Sequence, residues 1–311
     1  MKKQILLVGS NGQIGTDLAT QLPRLGEVIA LSHQDLDLRN LGDIRRTVQE
    51  LRPKWIINAA GYTAVDDAEK DEATARAVNA EAPDVLADEA ARIGAVLVHY
   101  STDYVFDGLK KRPYVEDDPT NPINVYGKTK LEGERAIQVS GAYHLIFRTQ
   151  WVYSNHGRNF LLTVLRLATQ RPELRIVADQ IGSPTSSFAI AKATTEVLAQ
   201  LKDQDARALS VASGIYHMTA AGETSWNGFA EAILDEASRA HPKPAWLNAA
   251  MNGMPLIAGR VNAITTEEYP TPARRPAYSV LSNERLNKSF KIGLPSWREQ
   301  LQAIYAAGRS D

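Results

Sequence analysis

The sequence predicts an α/β protein, a doubly wound parallel sheet followed by a smaller C-terminal lobe, and three observations predict it. Short runs rich in Val and Ile alternate with helix-period segments through the first half, the pattern of βαβ units. The first run ends directly in a glycine-spaced loop that opens a helix, Gly9-Ser10-Asn11-Gly12-Gln13-Ile14-Gly15. Past about residue 150 the alternation loosens and loops lengthen.

Taken in order, the expected strands are Gln4–Val8, Glu27–Leu31, Trp55–Asn58, Val96–Ser101 and His144–Thr149. They are short and mostly apolar, which suits a sheet covered on both faces. The intervening helices are expected at Gln13–Leu22, Leu41–Leu51, Glu72–Ile93 and Val125–Ser140. Pro83 interrupts the third of these or begins a new helix there. Further helices are expected at Asn159–Thr169, Ser187–Leu201 and Ser225–Ala240. The segments Pro242-Lys243-Pro244 and Tyr269–Pro276 read as loops of the second lobe, because apolar residues stay interspersed. Ser296 with Glu299 is a capping box that opens a last helix, Trp297–Ala307. The expected division is residues 1–150 and 151–311, with some later segments returning to the first sheet.

Composition sets limits on function. A chain of 311 residues, 44% apolar and 23% charged, is neither disordered nor fibrous. Lys+Arg 35 against Asp+Glu 36 leaves a net charge of -1, which removes the global electrostatic case for nucleic acid or an anionic membrane. Zero cysteines exclude disulfides, thiolate zinc sites, iron–sulfur clusters and a cysteine nucleophile. The six histidines show no metal-binding spacing, so structural or surface roles are expected and no metal is. Ile5–Val8 is too short for a signal core of about 7–15 residues. The Ala-rich stretch Ala82–Val98 carries Asp84, Asp88, Glu89 and Arg92 and cannot span a bilayer. A soluble, cytoplasmic chain is expected.

The glycine loop carries the first chemistry. Glycines in this spacing let the backbone turn tightly and approach a ligand without a Cβ in the way. The helix that follows presents free N–H groups and a positive dipole end to a pyrophosphate. In its strand–turn–helix setting the loop predicts a Rossmann-type dinucleotide site, with Gly9, Gly12, Gln13, Ile14 and Gly15 at the cofactor. The second signal is Tyr126-Gly127-Lys128-Thr129-Lys130, which sets Tyr126 and Lys130 on one helix face. An ammonium one turn from a phenol favours the phenolate and brings tyrosine toward acid–base work. Ser101-Thr102 closes the strand expected to face that helix, so Thr102 can complete a triad with Tyr126 and Lys130.

Together these features resemble the short-chain dehydrogenase/reductase superfamily. Longer segments narrow the resemblance: Asn58–Asp66, His99–Gly108, Asn124–Glu134, Arg148–Tyr153, Asp179–Thr185 and Tyr269–Pro276. In this order they resemble the dTDP-4-dehydrorhamnose reductase family, from Lys3 to about Trp297. The resemblance implies hydride delivery from NADPH, with NADH also accepted, to the C4 ketone of dTDP-4-dehydro-β-L-rhamnose. It implies Tyr126 as proton donor to the alkoxide, Lys130 on the nicotinamide ribose, and Thr102 tuning the proton transfer. Asp103 and Trp151 match positions that hold the sugar nucleotide. Gly61, Tyr62, Thr63 and Tyr100 match the cofactor's surroundings, and Asp37 and Leu38 a pair beside the adenine.

Where an acidic residue would bind the ribose 2′-OH of NAD, this chain has Ser32, and Asp35 and Asp37 come later unless the loop folds back. Dual cofactor use with a modest NADPH bias is therefore expected. Some relatives form magnesium-bridged dimers through glutamates; Phe188 and Arg298 stand at two of those positions here, and a monomer or weak homodimer is expected. Arg274 and Arg275 suit the substrate phosphates or solvent equally, while Trp226, Trp246 and Trp297 are expected as packing anchors. Two rivals are weighed. A dehydratase or epimerase of the superfamily would place Asp-Glu after the threonine, but Thr102 is followed by Asp103-Tyr104. A non-catalytic regulatory subunit, like that of methionine adenosyltransferase, would not need Tyr126, Lys130 and Thr102.

Overall fold

A computed structural model describes residues 4–307. Strands β1 (Gln4–Val8), β2 (Glu27–Leu31), β3 (Trp55–Asn58), β4 (Val96–Thr102), β5 (Tyr143–Thr149) and β6 (Gly214–His217) form one sheet in the order β2-β1-β3-β4-β5-β6. Every pairing in it is parallel. The fold is thus the expected Rossmann-like one. Alternate residues serve opposite faces because side chains of a strand alternate. Ile5 and Leu7 join one core with Leu18 and Leu22, and Leu6 and Val8 join another with Ile44, Val48, Leu86 and Ile137. Both faces are covered by helices, which is why the strands can be apolar throughout.

Helices α1 (Gln13–Gln21), α2 (Leu41–Leu51), α3 (Ala82–Ile93) and α4 (Val125–Val139) connect the first strands. Asn40 and Asn124 cap α2 and α4, each accepting a backbone N–H of the first turn. The single helix expected over Glu72–Ile93 is instead a short helix Glu72–Arg76, a π-helical turn Ala77–Glu81, and α3. Pro83 lies in the first turn of α3, directly after the π turn. Apolar periodicity does not register the extra residue of a π turn, so the sequence reads as one helix.

Beyond β5 come α5 (Phe160–Ala168), α6 (Ser187–Leu201), α7 (Trp226–Arg239) and α8 (Trp297–Ala306). Segments do return to the sheet: β6 pairs with β5, and α6 contributes Ile190, Val197 and Leu198 to the core beside β1. A second core gathers Leu161, Leu165, Phe229, Ile233, Trp297 and Leu301 from α5, α7 and α8. Beside it Glu173–Val177 and Arg260–Ile264 pair in parallel, a two-stranded element absent from the sequence reading. Each run, Glu-Leu-Arg-Ile-Val and Arg-Val-Asn-Ala-Ile, alternates polar and apolar residues over only four positions, too short a signal to stand out among the surrounding loops. The capping box at Ser296 and Glu299 is present. No helix among the described residues is long and apolar enough to cross a membrane.

Candidate active site

All six strands point the same way, so their C-terminal ends share one rim. The strand order reverses at β1, with β2 on one side and β3 on the other, and open α/β sheets bind ligands at such a point. Gly9 leaves β1 there with φ +80, and a Cβ on it would lie 2.6 Å from the Ala60 backbone nitrogen. A Cβ on Gly15 would fall 2.0 Å from the Gly9 carbonyl oxygen. Only glycine fits either position. Gly12 is the N-cap of α1, and no side chain caps that helix. Its first turn keeps its N–H groups for an anion, and the loop is shaped to let a pyrophosphate close in. These features fit a dinucleotide.

The neighbouring parts follow suit, mostly through backbone. Gln13 turns its side chain away, accepting hydrogen bonds from Ser154 Oγ at 3.0 Å and Asn159 Nδ2 at 2.9 Å. Ile14 packs against the sheet core. Gly61, Tyr62 and Thr63 form the loop after β3, and Asn79 clamps it: Tyr62 N–H donates to Asn79 Oδ1, and Asn79 Nδ2 donates to the Tyr62 carbonyl. Asn79 belongs to the π turn, which aims its fully buried side chain into the loop. Sequence reasoning missed it. Tyr100 points its hydroxyl at Thr194 on the far face, and its carbonyl reaches the site.

At the end of β2 the loop does fold back. Ser32 donates both its N–H, at 2.8 Å, and its hydroxyl, at 2.6 Å, to the Asp35 carboxylate. These bonds hold Asp35 below its ordinary pKa. The acid that seemed too distant in sequence is therefore beside Ser32, which alters the argument for an NADPH bias. Asp37 is forked by Arg39, which lowers its pKa to about 2, and Leu38 is buried in the core. Arg39 is thereby engaged by an acid.

The helix carrying Tyr126 and Lys130 is tied to the sheet by a buried fork: Arg148 of β5 donates to Glu134 at 2.9 and 2.6 Å. Tyr126 lies edge-on to Tyr104, ring centroids 5.5 Å apart. Burial pushes the Tyr126 pKa up to about 12, while the Thr102 hydroxyl beside it pulls the other way. This opposes the shift expected from a neighbouring ammonium. The reason is where Lys130 goes: its Nζ donates to the Tyr100 carbonyl at 2.5 Å and lies 3.1 Å from His99 Nε2. Burial brings Lys130 down to about 8, with Glu134 resisting.

Thr102 donates to Asp103 Oδ1 at 3.0 Å and accepts the Tyr104 N–H at 3.2 Å. Asp103 is 1% exposed, and burial raises its carboxyl to about 7, with the Thr102 hydroxyl pulling the other way. Ser279 donates to Gln150 Oε1 at 3.2 Å, and Gln150 Nε2 and Asp103 Oδ2 are buried without partners. Gln150 and Ser279 join this polar cluster from distant chain positions that no spacing rule connects. Trp151 follows, with φ 47, stacked at 3.5 Å on Trp226. Trp226 also packs on Phe160, Trp297 is buried, and Trp246 packs edge-on to Tyr305. Arg275 is forked onto Asp66 and fastens the proline-rich segment, whereas Arg274 is exposed. No cluster among the described residues is suited to a metal ion.

A parallel sheet with a glycine loop at its switch point, and a Tyr-x-x-x-Lys helix beside a threonine-ended strand, defines a dinucleotide-dependent oxidoreductase of the short-chain dehydrogenase/reductase type. The sequence further matches, over residues 1–310, the family described as RmlD substrate binding domain, and the chain belongs to that family. It is 49% identical to dTDP-4-dehydrorhamnose reductase of Burkholderia thailandensis, covering 95% of each chain. It is 41% identical to that of Escherichia coli, covering 94% of each. Among solved structures it resembles a dTDP-4-dehydrorhamnose reductase from Bacillus anthracis in complex with NADP, with TM-score 0.86, 32% identity, and coverage of 98% and 99%.

Proposed function

We propose that the chain reduces the C4 ketone of dTDP-4-dehydro-β-L-rhamnose to dTDP-β-L-rhamnose, using NADPH and also accepting NADH. The reading rests on end-to-end similarity to reductases of that name, and is supported by Tyr126 lying beside Thr102 and Lys130 Nζ lying near Gly61. The nicotinamide supplies hydride when bound. The chain's own residues do the rest. The glycine loop and the first turn of α1 hold the pyrophosphate, and the Asn79-clamped loop borders the cofactor. Tyr126, held as a phenol through the neutral range, gives its proton to the oxygen that becomes O4. Thr102 orients that hydroxyl, and Lys130 binds ribose hydroxyls.

Asp103 and Trp151 contact the sugar nucleotide in this reading. Asp103, its carboxyl raised to about 7, can in its protonated form donate a hydrogen bond to a sugar hydroxyl without burying charge. Asp103-Tyr104 after Thr102 supplies no second carboxylate for water elimination, which favours reduction over dehydration. The protein would act in the cytoplasm, as a monomer or weak homodimer. Stereospecifically deuterated NADPH tests the reaction: deuterium should appear at C4 of dTDP-rhamnose. Label at another carbon, or none, would reject it.

A further inference from the structure

Lys130 ends a buried chain that runs from its helix across two strands, β4 and β3. His99 is 1% exposed and Lys130 4%. His99 Nε2 lies 3.1 Å from Lys130 Nζ, and His99 Nδ1 lies 3.1 Å from Asn58 Nδ2. Asn58 and His99 are direct neighbours in the register of β3 on β4. The Asn58 amide is oriented by the Ala60 N–H, which donates to Asn58 Oδ1 at 3.2 Å.

Counting protons along this chain leaves one satisfactory arrangement. Asn58 Oδ1 is taken by a backbone N–H that can only donate, so Asn58 presents its NH₂ to His99. His99 Nδ1 must then be the accepting lone pair, and the proton of the neutral ring sits on Nε2, facing Lys130. An imidazolium would oppose N–H groups at both ends, and burial holds His99 well below its usual pKa. An ammonium has three donors and no acceptor, whereas an amine can accept the Nε2–H and still donate to the Tyr100 carbonyl. With Lys130 neutral, each contact along the chain pairs a donor with an acceptor. With Lys130 protonated, two buried donors face each other somewhere along it.

We propose that Asn58 and His99 are positioning residues that make Lys130 an amine able to gain and lose its proton near neutral pH. The groups facing Lys130 are few. Its own helix sets Tyr126 a turn before and Glu134 a turn after; Glu134 favours the ammonium but is itself forked by Arg148 of β5. β4 contributes His99 and the Tyr100 carbonyl, and β3 contributes only the uncharged Asn58. Such a lysine can return a proton to the acid that has spent one, which a permanent cation cannot do. That catalytic meaning rests on the proposed role of Tyr126; the protonation pattern does not.

The test uses the full chain without substrate or cofactor, so it stands apart from the reaction assigned above. Long-range ¹H–¹⁵N spectra of the imidazoles should show His99 neutral with its proton on Nε2. In protein labelled with ¹³C at lysine Cε, and assigned with Lys130→Arg, the Lys130 signal should titrate about two units below the ordinary lysine value of ~10.4. Asn58→Asp turns the ring over in protonation, placing a lone pair against Lys130, and His99→Gln offers it an amide oxygen. Either variant that folds should raise the Lys130 midpoint by about one unit or more, a tenfold change in proton affinity. A proton on Nδ1 in the unmodified protein, a midpoint near ~10.4, or midpoints unmoved in both variants would overturn the proposal.

Discussion

Replacing Tyr126 by Phe isolates one hydroxyl on a partly buried ring. The ring keeps its edge contact with Tyr104, so packing is preserved. The Thr102 hydroxyl that loses a neighbour still donates to Asp103 and accepts the Tyr104 N–H. Loss of stability should therefore stay near the net worth of one hydrogen bond, about 1 kcal/mol. Nothing in the glycine loop or the Asn79-clamped loop depends on that hydroxyl, so NADPH affinity should change by no more than a few-fold. Turnover is different, because the proton for the developing alkoxide comes from this atom. General acid contributions of about 10²–10⁴-fold correspond to roughly 2.7–5.5 kcal/mol of barrier. NADPH fluorescence titration and steady-state absorbance of the nicotinamide separate the two effects. A variant that keeps half its turnover would refute the role of Tyr126. So would one that loses cofactor affinity as much as rate.

Asp35→Asn removes the carboxylate that Ser32 holds at the end of β2, and should move kcat/KM toward NADPH over NADH by a few-fold; an unchanged ratio would place this carboxylate away from the ribose. Gly9→Ala should cost about 2–4 kcal/mol in denaturant unfolding and lose NADPH affinity, since the Cβ meets the Ala60 backbone at positive φ; near wild-type unfolding would contradict the close approach. The Asp103 carboxyl, ordinary value 3.8, is raised to about 7 in the fold. Between those values the folded protein binds the extra proton, so its stability falls as pH rises, by at most about 4 kcal/mol. Asp103→Asn should flatten that segment of the stability–pH curve, and an unaltered slope would count against the buried acid.

Much of the fold was legible because β1 to β5 and α1 to α4 each answer to one local rule. Gln4–Val8, Glu27–Leu31 and Trp55–Asn58 are apolar runs cut off by glycine, proline or asparagine, and they fall where expected. β6 and the pair Glu173–Val177 with Arg260–Ile264 were not legible, since their strand character comes from partners far along the chain. The site divides the same way. Gly9 and Gly15 carry their reason in their own backbone, and Tyr126 with Lys130 in helical spacing. Asn58, His99, Asn79, Gln150 and Ser279 carry no such mark: each matters through hydrogen bonds set by strand register, a π turn or a long return of the chain. Asp35 shows the limit of counting residues, because two bonds to Ser32 bring it back across a turn. The pKa of Tyr126 likewise depends on burial, which pushes it up and which helical spacing does not reveal.

The central claim is that this chain is a ketone reductase acting on a dTDP-sugar. Mixing the purified protein with dTDP-4-dehydro-β-L-rhamnose and NADPH, and following absorbance at the nicotinamide band, tests it most directly. The account predicts loss of one NADPH per dTDP-β-L-rhamnose formed, abolished in Tyr126→Phe. Folded protein that binds NADPH yet leaves it unoxidised in the presence of this substrate would contradict it.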